Sequence, residues 1–339
     1  MRRPTIADIA RTAGVSKGAV SYALNGRPGV SAATRERILA IAEELGWAPS
    51  SAARALSDGR AGAIGLIVGR PADVLGVEPY FMRLVSGIQR ELAGGPTALA
   101  LQVAPDLADE MAMYRRWAAE RRVDGVLLLD LRVADPRVEL LAGLRLPAVV
   151  VGGRAGAGHL PCAWSDDAAA VGEAVRYLAA LGHRRVARVA GPADLAHTAA
   201  RSAAFEATAR ELGLDGGETV HADYTGEDGA RLTRRLLAAV PRPTAVIYDN
   251  DLMAVAGLGV AQEMGVAVPE ELSVVGWDDS ALCRLVRPAL TAVSRDVVEH
   301  GSRAARMLLA AVDGETVPDW CTPAATLRPR GSTGPLRRG

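Results

Sequence analysis

Lys17, Gly18, Ser21, Tyr22 and Asn25 recur at spacings that bring them onto one side of a short helix. A cation, two hydroxyls, an amide and a glycine that admits a close backbone are the chemistry of phosphate contact and base-edge readout, not of bond breaking. Ser16 caps that helix, which runs from Lys17 to Leu24 with Val20 and Leu24 turned inward. A first helix must support it. Thr5 caps this one with Asp8 three residues on, and Ile6, Ile9, Ala10 and Ala13 form its apolar stripe. Gly14 breaks the helix at a position where a positive φ costs little, and Val15 plugs the corner. Two short helices joined by a tight turn, with one polar face, make a helix-turn-helix; the plainer alternative is a small helical hairpin. A third helix starts at Ser31 or Thr34, buries a stripe of Ile38, Leu39, Ala42 and Leu45, and ends at Gly46.

Charge favours the first reading. Residues 1–60 carry nine Lys/Arg against five Asp/Glu, although the whole chain balances 39 against 39. A basic head on a neutral protein suits a phosphate backbone. Lys17 is the one lysine among those 39 cations. Either arginine has replaced lysine everywhere else for compositional reasons, or this position needs a point charge on a flexible stem.

At 339 residues, two or three domains and a large core are expected. Hydrophobic content of 49% with 23% charge is ordinary globular composition. No apolar run reaches the roughly 18 residues of a membrane span. Met1-Arg2-Arg3-Pro4 leads into a charged helix rather than an apolar signal core, so a cytoplasmic location is expected. Cys162, Cys283 and Cys321 are odd in number and far apart, which fits reduced thiols and no disulfide framework.

Four segments follow: a head at 1–46, a hinge or linker at 47–61, a core at 62–330 and a tail at 331–339. The linker is Ala-rich after Pro49 and too short to be a stable helix alone. In the core, expected strands at Ile64–Val68, Ala98–Val103, Gly125–Leu129, Ala148–Val151, Val186–Ala190, Ala245–Tyr248 and Ser273–Trp277 alternate with amphipathic stretches. The latter include Phe81–Leu92, Met111–Glu120, Asp167–Leu181 and Leu252–Met264. Alternation of this kind predicts parallel sheets with helices on both faces, in two halves around a cleft at the strand carboxyl ends. Asn250 and Asp278 each follow such a strand and offer groups suited to vicinal hydroxyls. Trp164 lies on the crossover after Pro161, where a flat ring suits the C–H face of a sugar.

Three runs in the head then match a known family: Thr5-Ile6-Ala7-Asp8-Ile9-Ala10, Ala13-Gly14-Val15-Ser16 and Val20-Ser21. Leu24-Asn25, Val30-Ser31, Thr34-Arg35 and Pro49 with Ala53-Arg54 and Leu56 extend the match. In the core it continues through Pro79-Tyr80-Phe81, Arg122-Val123-Asp124-Gly125, Leu181-Gly182-His183, Asn250-Asp251 and Val275-Gly276-Trp277-Asp278-Asp279. The chain resembles the LacI/GalR family of bacterial transcription regulators over essentially its whole length. The resemblance implies a three-helix DNA-binding head, a hinge helix, and a two-lobed core similar to a periplasmic sugar-binding protein. It implies that Lys17 meets a guanine edge and Tyr22 a base or thymine methyl, that Gly18 lets the backbone approach without reading anything, that Thr5, Ser16, Ser21 and Asn25 fix the register through phosphates, and that Ala53 and Leu56 belong to the hinge, Leu56 being a wedge in the minor groove. Ser50 stands where Asn is commoner. Arg201 falls where the family holds its effector, Tyr224 where an aromatic stacks on it, and Tyr80 in the first cleft loop. Arg295 replaces a common Gln and would add positive charge for an acidic or phosphorylated ligand.

Catalytic readings are weaker. Gly14-Val15-Ser16-Lys17-Gly18 satisfies the G-x-S-x-G string but follows a helix, not a strand. Gly152-Gly153-Arg154-Ala155-Gly156-Ala157-Gly158 lacks the G-x-G-x-x-G order, and the five histidines lack ligand spacing. Asp278 and Asp279 are adjacent at a strand end and point apart. No enzyme, metal or cofactor is implied. With no leucine heptad after Pro323, a homodimer is expected on a near-palindromic operator, one head per half-site. The competing class is a cytosolic solute-binding α/β protein without a specific DNA target.

Overall fold

Capping and periodicity carry the head as expected. The computed structural model describes residues 4–47, 59–70, 72–215 and 217–336; Ser50, Ala53 and Leu56, with residues 48–58 of the expected hinge, lie outside the described residues. The chain divides into two compact units, Met1–Ala61 and Gly62–Gly339.

In the first unit, helices span Ile6–Ala13, Lys17–Leu24 and Ala32–Glu44. Gly14, at φ 64°, ends the first in the left-handed region. Ser16 Oγ accepts the Ala19 amide at 3.1 Å, and Ser31 Oγ accepts that of Thr34 at 3.3 Å. Ile9, Ala13, Val20, Ala23, Ile38 and Ala42 form the small core. Two expectations shift here. Leu39 is 46% exposed, because 100° per residue turns it away from the seam that Ile38 and Ala42 occupy. Ala23 is buried below Val20, and Leu24 only half so.

The second unit is built on two six-stranded sheets. The first orders its strands β11-β5-β4-β3-β1-β2, with β1 Ala63–Val68, β2 Ala98–Val103, β3 Gly125–Leu129, β4 Ala148–Gly152, β5 Cys162–Trp164 and β11 Trp320–Cys321. The second is β12-β10-β9-β8-β6-β7, with β6 Val186–Ala190, β7 Glu218–His221, β8 Ala245–Tyr248, β9 Ser273–Trp277, β10 Thr291–Ser294 and β12 Thr326–Arg328. The expected twofold rhythm is thus a repeated 2-1-3-4-5 winding. All pairings are parallel except β10 with β12. Central strands such as Ile64–Val68, Gly125–Leu129 and Val186–Ala190 are buried on both faces, as their unbroken apolar runs require.

The chain crosses between lobes three times, after β5, after β10 and between β11 and β12. The helix Val297–Val312 therefore returns to the first lobe and packs on Pro79–Leu92. Their approach depends on glycine: a Cβ on Gly87 would meet the Val298 carbonyl oxygen at 1.9 Å, and one on Gly301 the Leu84 oxygen at 2.3 Å. Gly87→Ala is expected to cost about 1–3 kcal/mol by forcing the backbones apart. Gly259→Ala, in a helix with open space, should instead gain about 0.5–1 kcal/mol. Urea midpoints measure both, and an unmoved Gly87→Ala midpoint would mean that the helix pair has slack.

Residues 331–336, expected as a tail, are part of the second lobe. The Ser332 carbonyl accepts the Val274 amide at 2.8 Å, Ser332 Oγ accepts that of Thr291 at 2.8 Å, and Leu336 N donates to Leu181 O at 3.0 Å. The small side chains of Ser332 and Thr333 make this docking possible. No helix among the described residues is long and apolar enough to cross a membrane.

Candidate functional site

The polar face of the head is assembled by its second helix. Ser16, Lys17, Gly18, Tyr22 and Asn25 are exposed, Ser21 is half-buried, and the Asn25 amide reaches Ser21 Oγ at 3.4 Å. Tyr22 leans over Gly29, where a Cβ would meet its ring at 3.1 Å, and remains 45% exposed. Lys17 is the first residue of the helix, beside its positive end. Thr5 pairs with Asp8 as its expected capping role requires. Its hydroxyl donates to Asp8 Oδ2 at 2.7 Å and its amide to the same oxygen at 2.9 Å, so the proton a phosphate would need is already committed.

The cleft of the second unit is built by strand ends. Arg70 follows β1, Asp130 β3, Asp167 β5, Asp249 β8, Asp278 β9 and Arg295 β10; with Glu78, Tyr80, His197, Arg201 and Tyr224 they line the cleft. Asp130, Tyr224 and Asp278 hold left-handed backbone, at φ 50°, 72° and 88°. Strain of this kind at three lining residues is what a preformed site carries.

Carboxylates and guanidiniums pair off around the cleft. Arg70 donates to Asp130 at 2.8 Å, Arg201 Nε to Asp167 at 2.7 Å, and Arg295 Nε to Asp278 at 2.5 Å. Asp249 receives a fork from Arg188 at 2.8 and 2.6 Å and the Gly191 amide at 3.2 Å. Burial opposes the charge on Asp167, yet Arg201 and Arg295 hold its carboxyl well below the usual range. Arg201 is 3% exposed and stacks its guanidinium 4.2 Å from the Trp277 ring centroid. Arg70 lies over Tyr224 at 4.6 Å and Arg295 over Tyr80 at 5.2 Å. The Tyr224 hydroxyl is 2.7 Å from His197 Nε2. Burial, with the nearby Arg201 charge, pushes that imidazole down to about 4, so it is neutral at pH 7. Gly191 makes room for Tyr224, since a Cβ there would lie 2.1 Å from the phenol.

Of the seven residues expected at the cleft, Tyr80, Arg201, Tyr224, Asp278 and Arg295 line it. Asn250 stands behind the lining: its Oδ1 caps the helix Asp251–Glu263, and its amide donates to Glu78 Oε1 at 3.2 Å and Tyr224 O at 3.0 Å. Trp164 is not among the lining residues; it ends β5 half-buried, with the Arg154 guanidinium 5.8 Å from its ring. Arg295, expected to favour an acidic ligand, is paired with Asp278, and Asp167 lies 3.7 Å away. Asp278 and Asp279 do point apart, the latter toward Arg330 at 2.7 Å. Sequence reasoning missed Arg70, Glu78, Asp130, Asp167, His197 and Asp249. For Asp130 and Asp249 the signal was present, since each directly follows a strand.

The lobes meet around the cleft. Arg83 donates to Asp278 O at 2.7 Å, Ala196 N to Leu131 O at 2.7 Å and Val133 N to Asp194 O at 2.9 Å, while Arg132 pairs with Asp194. Bonds from side chains and backbone thus span the two lobes beside the cleft.

Comparison with known proteins agrees with both units. The family model for bacterial regulatory proteins, lacI family, matches residues 5–50, and that for a periplasmic binding protein-like domain matches residues 175–333. The HTH-type transcriptional regulator CelR of Thermobifida fusca is 34% identical over 319 residues, 93% of this chain and 94% of that one. A LacI family transcriptional regulator from Bifidobacterium animalis subsp. lactis is 42% identical with a TM-score of 0.75, covering 82% of this chain and 100% of its own. A structure of the transcriptional regulator CelR in complex with cellobiose is 30% identical with a TM-score of 0.73, covering 97% and 100%. Relatives of this kind decide between a regulator and a plain solute-binding protein in favour of the regulator.

Proposed function

This chain belongs to the lacI family of bacterial regulatory proteins and is a ligand-responsive, sequence-specific DNA-binding transcriptional regulator, and from that premise we propose that it is a cytoplasmic, non-enzymatic repressor responding to a small sugar-like effector. The observation that carries the effector class is the one-to-one pairing of Arg70, Arg201 and Arg295 with Asp130, Asp167 and Asp278. A site whose cations are all answered by its own carboxylates has no charge to offer an anion. What it offers instead is a ring of fixed hydrogen-bonding groups, which suits a neutral polyol. The cellobiose bound by the CelR relative supports the same class.

In this reading residues 1–46 are the DNA-binding domain, 47–61 the hinge, and the rest the effector-binding and dimerisation domain. Lys17 and Tyr22 meet base edges, Gly18 lets the backbone approach, Ser16, Ser21 and Asn25 hold phosphates, and Ala53 and Leu56 work in the hinge. Two heads of a homodimer then read a near-palindromic operator. Ligand favours one closure angle of the lobes, and the coupling to DNA is reciprocal, typically about 1–3 kcal/mol.

Selection of bound sequences from a random DNA pool, with and without a sugar panel beginning with cellobiose, tests this directly. A palindrome whose enrichment changes with one sugar is the expected result. A palindrome indifferent to every sugar would overturn the effector class, and no enriched sequence would overturn the operator.

A further inference from the structure

Two cleft residues carry buried polar side-chain atoms that nothing in the described chain satisfies. They are Glu78 Oε2, an acceptor, and Arg70 Nε, a donor. Both are held from their other ends. Arg70 Nη2 donates to Asp130 Oδ2 at 2.8 Å with the guanidinium over Tyr224, and Glu78 Oε1 accepts the Asn250 amide at 3.2 Å. Glu78 is 7% exposed, so water is a poor substitute for a missing partner. Asp130, Asp167, Asp249 and Asp278 each have a guanidinium hydrogen-bonded to them; Glu78 does not.

Resting on the sugar reading above, we propose that Arg70 and Glu78 are the specificity-determining pair of the effector site, holding one ligand hydroxyl that donates to Glu78 Oε2 and accepts from Arg70 Nε–H. A hydroxyl does both at once; an ammonium only donates and a carboxylate or phosphate oxygen only accepts. The pair therefore selects a neutral polyol by one particular hydroxyl. A site built around such a group rejects the analogue that lacks it far more strongly than an apolar pocket rejects a missing methylene.

Burial pushes the Glu78 carboxyl up to about 7, against the pull of Arg70 and the Asn250 amide, with Asp278 and Asp130 adding to the rise. A hydroxyl donated to Oε2 favours the ionised form. Affinity then increases as pH passes upward through 7, a window in which His197, near 4, does not titrate.

The test is calorimetry of the full chain with cellobiose and the other disaccharides of the panel, then with monodeoxy analogues of whichever sugar binds. Wild type is expected to lose at least tenfold in affinity at one hydroxyl position, and to bind more tightly at pH 8 than at pH 6. Glu78→Gln keeps a carbonyl for Asn250 but turns Oε2 into a second donor facing Arg70. It should weaken the parent sugar at least tenfold, abolish the preference for that one hydroxyl and flatten the pH profile. A wild type indifferent to every deoxy position overturns the pair without any variant. So does a Glu78→Gln protein with unchanged affinity and hydroxyl preference. If no sugar gives heat with wild type, the sugar reading itself falls, and this inference with it.

Discussion

Arg201→Ala is expected to remove the ligand response while ligand-free protein still binds operator. The guanidinium is almost wholly enclosed, with Nε on Asp167 at 2.7 Å, Nη1 3.6 Å from Asp249 and its face on Trp277. Truncating one partner of a buried, hydrogen-bonded charge pair costs about 2–5 kcal/mol, much of it the penalty of stranding the other charge. Expressed as affinity, that is roughly 30- to several thousandfold. The stranded group is Asp167, left with the Ser165 hydroxyl at 2.7 Å and with Arg295 at 3.7 Å. Part of the loss will therefore appear as a lower melting temperature, and Arg201→Lys, which keeps the charge without the fork, separates the two effects. Operator binding should persist because the head folds on its own core of Ile9, Val20 and Ile38. Titration of labelled operator by anisotropy, with and without the sugar found by selection, reads both quantities. A normal sugar response in Arg201→Ala would remove this residue from the site.

The head was legible because everything that shapes it is local. Caps, a turn glycine and an i, i+3, i+4 stripe fix three helices within 45 residues; of the two shifted side chains, Leu39 lies 100° from the seam and Leu24 gives its buried place to the adjacent Ala23. The cleft was legible only in part. The rule that found Asn250 and Asp278, a polar residue just past a buried strand, also applies to Asp130 after Leu129 and to Asp249 after Tyr248. Applied to every strand it finds both. It does not find Arg70, Glu78 or His197, which sit on loops or helix starts whose place depends on the lobes coming together. Nor could it place Trp164, since a strand of three residues, Cys162–Trp164, gives no alternation from which to tell cleft from flank. The edge strand Glu218–His221 was hidden for a related reason: only Val220 in it is buried. The charge of the site is the clearest case. Arg295 read alone suggests an anionic ligand, and only the neighbouring carboxylates, brought from strands far apart in sequence, answer that charge.

Lys17→Ala should cost about 1–3 kcal/mol of operator discrimination, roughly 5- to 150-fold, and leave sugar affinity unchanged. Lys17 opens the helix whose amide ends and exposed side chains form the polar face, and no described side chain hydrogen-bonds or pairs with it. If it meets a base edge, the loss falls on one position of each half-site. If it meets a phosphate, affinity falls evenly across sequences and the slope of log affinity against log salt drops by about one. Lys17→Arg decides between the two origins of the chain's one lysine. Arginine serves at every other cationic position, so a composition bias alone predicts that the Lys17→Arg protein binds as wild type does. A groove contact that needs a compact charge on a flexible stem predicts that the planar fork fails there. Competition titrations against operator variants, run at two salt concentrations for the wild type and both variants, give the answer. Unchanged sequence preference in Lys17→Ala would exclude Lys17 from base readout and shift the burden to Tyr22 and Ser21 on the same face.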